Sequence, residues 1–158
     1  MRLKMSLKNI KNLILVVFLG FLLTACATSS RKPGKDYYTG SDTVKFLASG
    51  VPVRVFFATN RSSLHSGAKG TLNKQAAYIK SSGISVVVEG HADERGTREY
   101  NLALGERRAN AVKDYLMSQG VASSKITVIS YGKERPVNPE SSRLAWSQNR
   151  RSVTVKSK

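Results

Sequence analysis

One short segment of the chain gathers charged side chains between two apolar runs. It reads GHADERGTREYNLALGERRAN, residues 90–110. Among its several acids and bases are Asp93 and Arg108. Side chains of these types can serve in catalysis, coordinate a metal ion or hold a charged ligand. A zwitterionic ligand would suit both residues at once, with its ammonium group on Asp93 and its carboxylate in a bidentate fork on Arg108.

The elements that must position these residues are a strand before the segment and a helix within it. The apolar run ISVVVEG, residues 84–90, has the length of a central strand, and residues 97–119 are predicted to form the helix that follows. On a helical wheel that starts from Leu104, Asn101 and Arg108 fall about 60° and 40° away, inside the apolar sector. The helix therefore directs an amide and a guanidinium group toward the sheet.

Arg108 needs a partner, because a guanidinium group turned toward a core is costly unless it is paired. Asp93 is the nearest acid by topology, in the loop that enters the helix beside its electropositive N-terminus. Two interpretations stay open: a buried Asp93–Arg108 salt bridge that only fixes the loop, or an open pair that binds a zwitterion. The second is favoured by Thr97 and Asn101 on the same face, and by Gly96, which lets backbone N–H groups approach a ligand.

Metal and hydrolytic chemistry are weakly supported by the residue types. His91 and Asp93 would project to the same side of an extended segment, but the only other histidine is His65 and no cysteine lies nearby. A three-ligand metal set would then need acids placed by chance. No serine lies in a nucleophile-elbow pattern. We therefore expect neither an enzyme nor a metal cofactor.

The domain as a whole is predicted to be an α/β fold, a two-layer sandwich in which a small mixed β-sheet carries helices on one face. Strands are expected from their β-branched and apolar runs, and helices from their periodicity and from the glycines that end them. The expected elements are strands at 51–57, 84–90, 125–131 and 151–156, helices at 66–82, 97–119 and 142–150, and a loop at 132–141.

The N-terminal segment has the features of an export signal. Residues 1–25 begin with four basic side chains and continue into LILVVFLGFLL, a run too short to span a bilayer. The sequence LTAC at 23–26 resembles the bacterial lipobox, so Cys26 is expected to carry diacylglycerol and an N-acyl chain; a buried free thiol is the alternative. Residues 26–43 are polar and predict a flexible tether, which leaves 44–158 as the folded domain.

The charge balance is strongly basic, with 26 Lys and Arg residues against 10 Asp and Glu residues and a formal net charge of +16. Removal of the four basic residues of the signal leaves 22 against 10, or +12. Because the chain is expected to be exported and its basic residues are scattered without stacking aromatic residues, we do not expect a nucleic-acid partner. The cell wall and the membrane surface are the expected polyanions.

Three segments of the chain together resemble one family. The sequence GHADERGTREYNLALGERRANAVKDYL, followed by ITVISYGKERP and SQNRRSV, is similar to the OmpA-like peptidoglycan-binding domain and to the peptidoglycan-associated lipoproteins that carry it. The resemblance runs from about residue 53 to 155. It implies the βαβαβ(α)β fold of the OmpA C-terminal domain, and as ligand the diaminopimelate of peptidoglycan stem peptides.

The resemblance also assigns roles to individual residues. Asp93 matches the aspartate that binds the amine of diaminopimelate, and Arg108 matches the arginine that binds its carboxylate. Thr97, Asn101 and Leu104 match positions that line or brace the pocket. One position departs from the family: Ala58 stands where many members carry an aspartate after the first strand, so a carboxylate near the pocket mouth is absent.

The resemblance further implies partners and a location. Members bind TolB, with other Tol proteins as associated partners, and support envelope integrity and cell division; Glu94, Arg95 and Tyr100 beside the pocket would suit a protein interface. Ala27 after the cysteine implies sorting to the outer membrane, by similarity to proteobacterial lipoproteins. The expected location is therefore the outer membrane, with the lipid on Cys26 as anchor and the domain facing the periplasm.

Overall fold

The structure is a computed structural model that describes residues 46–157. These residues carry six strands, three α-helices and one 3-10 turn. In chain order they are β1 (Phe46–Ala48), β2 (Val51–Pro52), β3 (Arg54–Phe56), α1 (Ser66–Ser82), β4 (Val86–His91), α2 (Arg98–Ser118), the 3-10 turn (Ser123–Lys125), β5 (Ile126–Gly132), α3 (Arg143–Asn149) and β6 (Arg151–Lys156).

The main sheet has four strands in the order β3-β6-β4-β5. β4 and β5 run parallel, with Val88 opposite Val128, whereas β6 is antiparallel to both of its neighbours. A parallel pair requires a crossover, and α2 supplies it between β4 and β5. β1 and β2 form a separate two-stranded ribbon.

Both long helices pack on one face of this sheet. Thr154 of β6 lies opposite Val88 and donates its hydroxyl to Gln75 of α1 at 2.8 Å, and α2 contacts β4 and β5. Burial of the apolar residues between helices and sheet is the main stabilising term. The core contains Leu47, Val53, Val55, Phe57, Ala68, Leu72, Ala76, Ile79, Val86, Val88, Ala109, Val112, Leu116, Val121, Ile126 and Val153. The predicted two-layer α/β sandwich is confirmed.

Two glycines allow α2 to cross β4 with their backbones in contact. A Cβ atom at Gly90 would overlap the carbonyl oxygen of Gly105 and lie 2.6 Å from its carbonyl carbon. A Cβ atom at Gly105 would lie 2.9 Å from the carbonyl oxygen of Gly90. This close approach holds the N-terminal half of α2 against the end of β4, where Asp93 leaves the sheet.

The first predicted strand is divided in the structure. Residues 51–57 were expected to be continuous, but they form β2 and β3, and β1 precedes them. Pro52 has no N–H to give to a strand ladder, and its carbonyl instead accepts the side-chain amide of Gln75 at 2.7 Å. The later elements begin and end within two residues of their predicted bounds, as expected for helix and strand ends.

The predictions for the N-terminal segment fall on residues outside those the structure describes. They are the signal peptide at 1–25, the lipid on Cys26 and the tether at 26–43. Within residues 46–157, no helix combines the length and the hydropathy that crossing a bilayer demands.

Candidate functional site

Asp93 lies beyond the carboxyl end of β4, in the turn that leads into α2. The preceding N–H, of Ala92, donates to the carbonyl of Gly132 at 2.7 Å and ties this turn to the end of β5. The Asp93 carboxylate accepts the backbone N–H of Arg95 at 3.2 Å and its guanidinium at 3.0 and 2.7 Å. It also accepts Nη1 of Arg150 at 3.4 Å. Two arginines therefore share one buried carboxylate.

The surroundings of Asp93 keep it ionised. Burial alone would raise the pKa of this carboxyl group, but the hydrogen bonds and charge of Arg95, with a further hydrogen bond from Arg150, outweigh burial and hold the pKa below its usual value. The side chain of Asp93 is only 8% exposed, whereas that of Arg95 is 42% exposed. Asp93 is thus ionised at neutral pH and carries a partly exposed cation.

Arg108 is fully buried, and main-chain carbonyl groups hold its guanidinium. Nε donates to Arg61 at 2.9 Å, Nη1 to His91 at 2.8 Å and Nη2 to Ala58 at 3.1 Å. This corrects the interpretation that paired the arginine with Asp93, because no ion pair joins the two among residues 46–157. The acceptors come from a loop nearly 50 residues earlier in the chain and from the end of β4.

The Arg108 guanidinium keeps capacity for an anion. It has five N–H donors, of which three are used, so two have no acceptor among the residues described. Burial, followed by the charge of Arg150, lowers the pKa of Arg108 to about 10, although the charge of Asp93 raises it. The group is charged at neutral pH. Its hydrogen-bond acceptors are neutral carbonyls, and its guanidinium carbon lies 5.3 Å from the ring centre of Phe57.

A cavity of about 230 Å³ opens beside Asp93. Of the residues singled out from the sequence, Asp93, Asn101 and Leu104 line it, together with Gly96. The rest of its lining is Thr59, Asn60, Arg95 and Tyr100. Arg108 is not part of this lining. Because it is fully buried, a ligand can reach its guanidinium only after a neighbouring side chain has moved.

The other predicted site residues shape the wall of the cavity. Asn101 donates its side-chain amide to the carbonyl of Arg95 at 2.8 Å, which fixes the turn after Asp93. Thr97 does not line the cavity; it caps α2, and its hydroxyl accepts the backbone N–H of Tyr100 at 3.2 Å. Gly96 has φ +92°, a conformation that favours glycine, so the turn needs this residue.

Sequence reasoning missed Trp146 and Arg150, and it named Arg95 and Glu94 only as candidates for a protein interface. Arg95 stacks on the ring of Trp146, with its guanidinium carbon 4.2 Å from the ring centre. Glu94 accepts the indole N–H of Trp146 at 2.8 Å, and Arg150 is fixed through Nε to the carbonyl of Phe57 at 3.0 Å. The only available signal was the NRR element, in which Arg150 follows the single tryptophan by four residues.

The histidine of the segment is placed away from the cavity. His91 is fully buried in β4, its ring lies 5.5 Å from that of Tyr131, and its Nε2 is 3.8 Å from a carboxylate oxygen of Glu89. In the part of the chain that the structure describes, no three His, Cys, Asp or Glu side chains are grouped to hold a metal ion.

The model of the OmpA family matches residues 56–150, which include every predicted site residue of the domain. This chain belongs to the OmpA family. The matched range contains β4, β5, all three α-helices and the turn that carries Asp93.

Named relatives within the OmpA family are close in sequence. The peptidoglycan-associated lipoprotein of Mesorhizobium japonicum is 57% identical over 103 residues, which cover 65% of this chain and 61% of that protein. The chain therefore spans about three fifths of the length of that relative. The peptidoglycan-associated lipoprotein of Brucella melitensis biotype 1 is 41% identical over 150 residues, 89% of each chain.

A solved structure shares the OmpA fold seen in this chain. The crystal structure of the peptidoglycan-associated lipoprotein from Burkholderia pseudomallei matches with a TM-score of 0.65 and 38% identity. The match covers 66% of this chain and 90% of that chain.

Proposed function

We propose that this protein is an outer-membrane lipoprotein that anchors the membrane to peptidoglycan without a covalent bond to the wall. Its ligand is the diaminopimelate of the stem peptides. Asp93 takes the ammonium group and Arg108 takes the carboxylate. Asn101 and Leu104 line the pocket, and Thr97 braces it by capping α2.

The observation that carries this proposal is the state of Arg108. A buried guanidinium is usually neutralised by a carboxylate, since burial of an unpaired charge is costly. Here its contacts are three carbonyls, two of its N–H donors have no acceptor among residues 46–157, and its pKa is lowered. A ligand carboxylate would supply the missing anion in a charge-assisted fork.

The pair of charges favours diaminopimelate over lysine, the other common residue at this stem position. The side chain of diaminopimelate ends in a carbon that bears both an amine and a carboxylate, whereas lysine ends in an amine alone. Lysine would occupy Asp93 and leave Arg108 without an anion. A site with a buried polar group that needs a partner on the ligand discriminates strongly against an analogue without that partner group.

Ligand entry requires Arg95 to give way. In the structure its guanidinium holds the Asp93 carboxylate at 2.7 Å, in the place that the ligand ammonium would take. The Arg95 side chain is 42% exposed and can move into solvent, so an incoming ammonium can take its place on the buried carboxylate. The ring of Trp146 keeps the displaced guanidinium close to the pocket.

Co-sedimentation of the full chain, in detergent, with purified sacculi tests the proposal. Sacculi whose stems contain diaminopimelate should retain the protein, and sacculi with lysine should not. Arg108→Lys should lose retention because a lysine ammonium cannot form a planar two-pronged contact, yet it can still donate to the carbonyl of His91 and keep the fold. Thermal unfolding of the same variant is the control.

The opposite outcome would be equally informative. Equal retention on both kinds of sacculi would contradict diaminopimelate as the ligand. Loss of binding by Arg108→Ala or Asp93→Asn only to the extent that each variant unfolds would make these residues structural.

In this proposal, lipid on Cys26 attaches the protein to the outer membrane. A diacylglyceryl group contributes about 0.8 kcal/mol per buried methylene and can hold the domain at the outer membrane. Metabolic labelling with a fatty acid should mark the wild type and spare Cys26→Ser. Label retained by that variant would refute this anchor.

We also propose that the protein works with TolB and other Tol proteins at the same surface, in support of envelope integrity and cell division. Tyr100, 43% exposed, and Arg95 lie at the mouth of the cavity, where a protein partner would cover the ligand site. Stem peptide should then compete with TolB for the full chain. Simultaneous, independent binding of both would contradict a shared surface.

A further inference from the structure

A second cavity adjoins the diaminopimelate pocket and is lined mainly by arginines. It measures about 250 Å³, and its lining is Thr59, Arg95, Arg143, Trp146 and Arg150. Thr59 and Arg95 line the first cavity as well, so the two cavities are neighbours. We refer to it as the arginine cavity.

One arginine of this cavity is uncommitted. The side chain of Arg143 is exposed and makes no hydrogen bond or ion pair with any residue in the range 46–157. Arg150 uses Nε on the carbonyl of Phe57 and Nη1 on Asp93, and its Nη2 has no acceptor among those residues. The arginine cavity therefore presents N–H donors that no described acceptor satisfies.

The charges around the two cavities do not balance. The charged residues that line them are Arg95, Arg143, Arg150 and Asp93, for a sum of +2. Arg108 and Glu94 lie beside this lining and cancel each other. Both carboxylate oxygens of Glu94 are already engaged, by Trp146 at 2.8 Å and by Ser141 at 3.0 Å. The chain carries no further acid at position 58.

Occupation of the first cavity does not remove this excess. The zwitterionic end of diaminopimelate has no net charge, so the sum stays at +2 when it is bound. Its ammonium group would displace Arg95 from Asp93, and the stack on Trp146 would keep that guanidinium at the border of the arginine cavity. Binding of the zwitterion therefore adds free donors to this cavity.

We propose that the arginine cavity is a subsite for a second carboxylate of the same stem peptide, held by Arg143 and Arg150. This inference rests on the proposed function, since the diaminopimelate end must occupy the adjoining pocket. A stem peptide offers two such groups: the α-carboxylate of the D-glutamate that precedes diaminopimelate, and the C-terminal carboxylate. Guanidinium donors favour carboxylates through paired, charge-assisted hydrogen bonds.

Matched peptides separate the two sources. The parent is L-Ala-γ-D-Glu-meso-diaminopimelate-D-Ala; one analogue carries D-isoglutamine and the other a C-terminal amide, so each lacks one carboxylate. Calorimetric titration of the full chain in detergent should give a five- to tenfold weaker affinity for one analogue than for the parent, a loss in the range of about 1 to 1.4 kcal/mol expected for one partly exposed charge-assisted contact.

Variants of the protein test whether Arg143 holds the second carboxylate. Arg143→Gln should weaken binding of the parent by the same factor and leave the affinity for the sensitive analogue unchanged. Lys74→Gln, on the exposed face of α1, removes the same charge elsewhere and should alter neither affinity. Arg143 lies at the surface, so its replacement should not disturb the fold; thermal unfolding verifies this.

Two results would overturn the subsite. One is equal affinity of the wild type for all three peptides, and the other is a loss in Arg143→Gln that is the same for parent and analogues, as a general charge effect would give. The proposed function is tested separately by a fourth peptide with lysine in place of diaminopimelate. If that peptide binds as well as the parent, the main pocket is wrong; if it fails while the analogues bind equally, only the subsite is wrong.

Discussion

The two halves of α2 pack against the same sheet with opposite chemistry. The C-terminal half, residues 109–118, buries only apolar side chains: Ala109, Val112 and Leu116. The N-terminal half, residues 98–108, buries a mixed set: Asn101, Leu104, Gly105 and Arg108. The helix as a whole lies against β4 and β5.

This difference separates scaffold from site. Apolar burial stabilises a fold directly, whereas burial of an amide and a guanidinium costs desolvation that hydrogen bonds only partly offset. A well-packed apolar residue in place of Arg108 would stabilise the fold about as well. We therefore interpret the C-terminal half of α2 as the part that holds the fold, and the N-terminal half as the part that recognises the ligand.

The largest effect should follow from filling the contact that seats the N-terminal half of α2. In Gly90→Ala the new methyl group would meet the backbone of Gly105, which cannot move without shifting the whole helix. We expect a loss of about 3 kcal/mol or more in the free energy of unfolding, or failure to fold. Gly70→Ala is the control, because nothing lies within 4 Å of its Cβ position in α1. Circular dichroism melts that coincide for Gly90→Ala and wild type would contradict the close approach.

The next effect concerns the scaffold half. Leu116→Ala should cost about 2 to 5 kcal/mol in unfolding free energy, because a fully buried side chain leaves a cavity. The molecules that remain folded should bind diaminopimelate-containing sacculi with unchanged affinity. Denaturant titration measures the first quantity and co-sedimentation the second. A loss of binding by the molecules that remain folded would contradict the assignment of the C-terminal half of α2 to the scaffold alone.

A smaller, pH-dependent effect is expected at Asp93. Its pKa is lowered in the folded state, so its stabilising contribution is full above the ordinary carboxyl pKa of about 3.9 and is lost as the pH falls through the folded value. Asp93→Asn should therefore be less stable than wild type by about 1.5 kcal/mol at pH 7. The difference should shrink below about pH 4. Asp114→Asn, on the exposed face of α2, is the control. If the difference in unfolding free energy between wild type and Asp93→Asn does not vary with pH, the lowered pKa of Asp93 is contradicted.

The smallest effect should come from the cap of α2. Thr97→Ala removes the hydroxyl that accepts the N–H of Tyr100 and should cost about 1 kcal/mol of stability. Thr97→Ser should restore it. Because Thr97 does not line the cavity, peptide affinity per folded molecule should stay the same. A large loss of affinity with normal stability would make Thr97 a ligand contact.

Much of this fold could be predicted from the sequence. The helical period places Asn101 and Arg108 on the buried side of α2, and the structure buries both. The apolar run before Asp93 predicted a central strand, and β4 lies between β6 and β5. Both inferences concern spacing within one element, where geometry follows directly from the sequence.

The partners of the buried charges could not be predicted in the same way. A helical wheel gives the direction of Arg108, but its acceptors at Ala58 and Arg61 come from a loop whose path depends on the whole fold. Arg95, which holds Asp93, stacks on Trp146, about fifty residues further along the chain. Asp93, the nearest acid by topology, was therefore the wrong partner for Arg108.

The central claim is that Arg108 binds a carboxylate, and one titration tests it most directly. The full chain is titrated with a stem tripeptide whose diaminopimelate side chain ends either in a free carboxylate or in the carboxamide. Wild type should prefer the carboxylate by about 100-fold, the value of a desolvated charge-assisted fork, and Arg108→Lys, verified as folded, should lose most of that preference. Equal affinity of wild type for both peptides, or an undiminished preference in Arg108→Lys, would contradict the account.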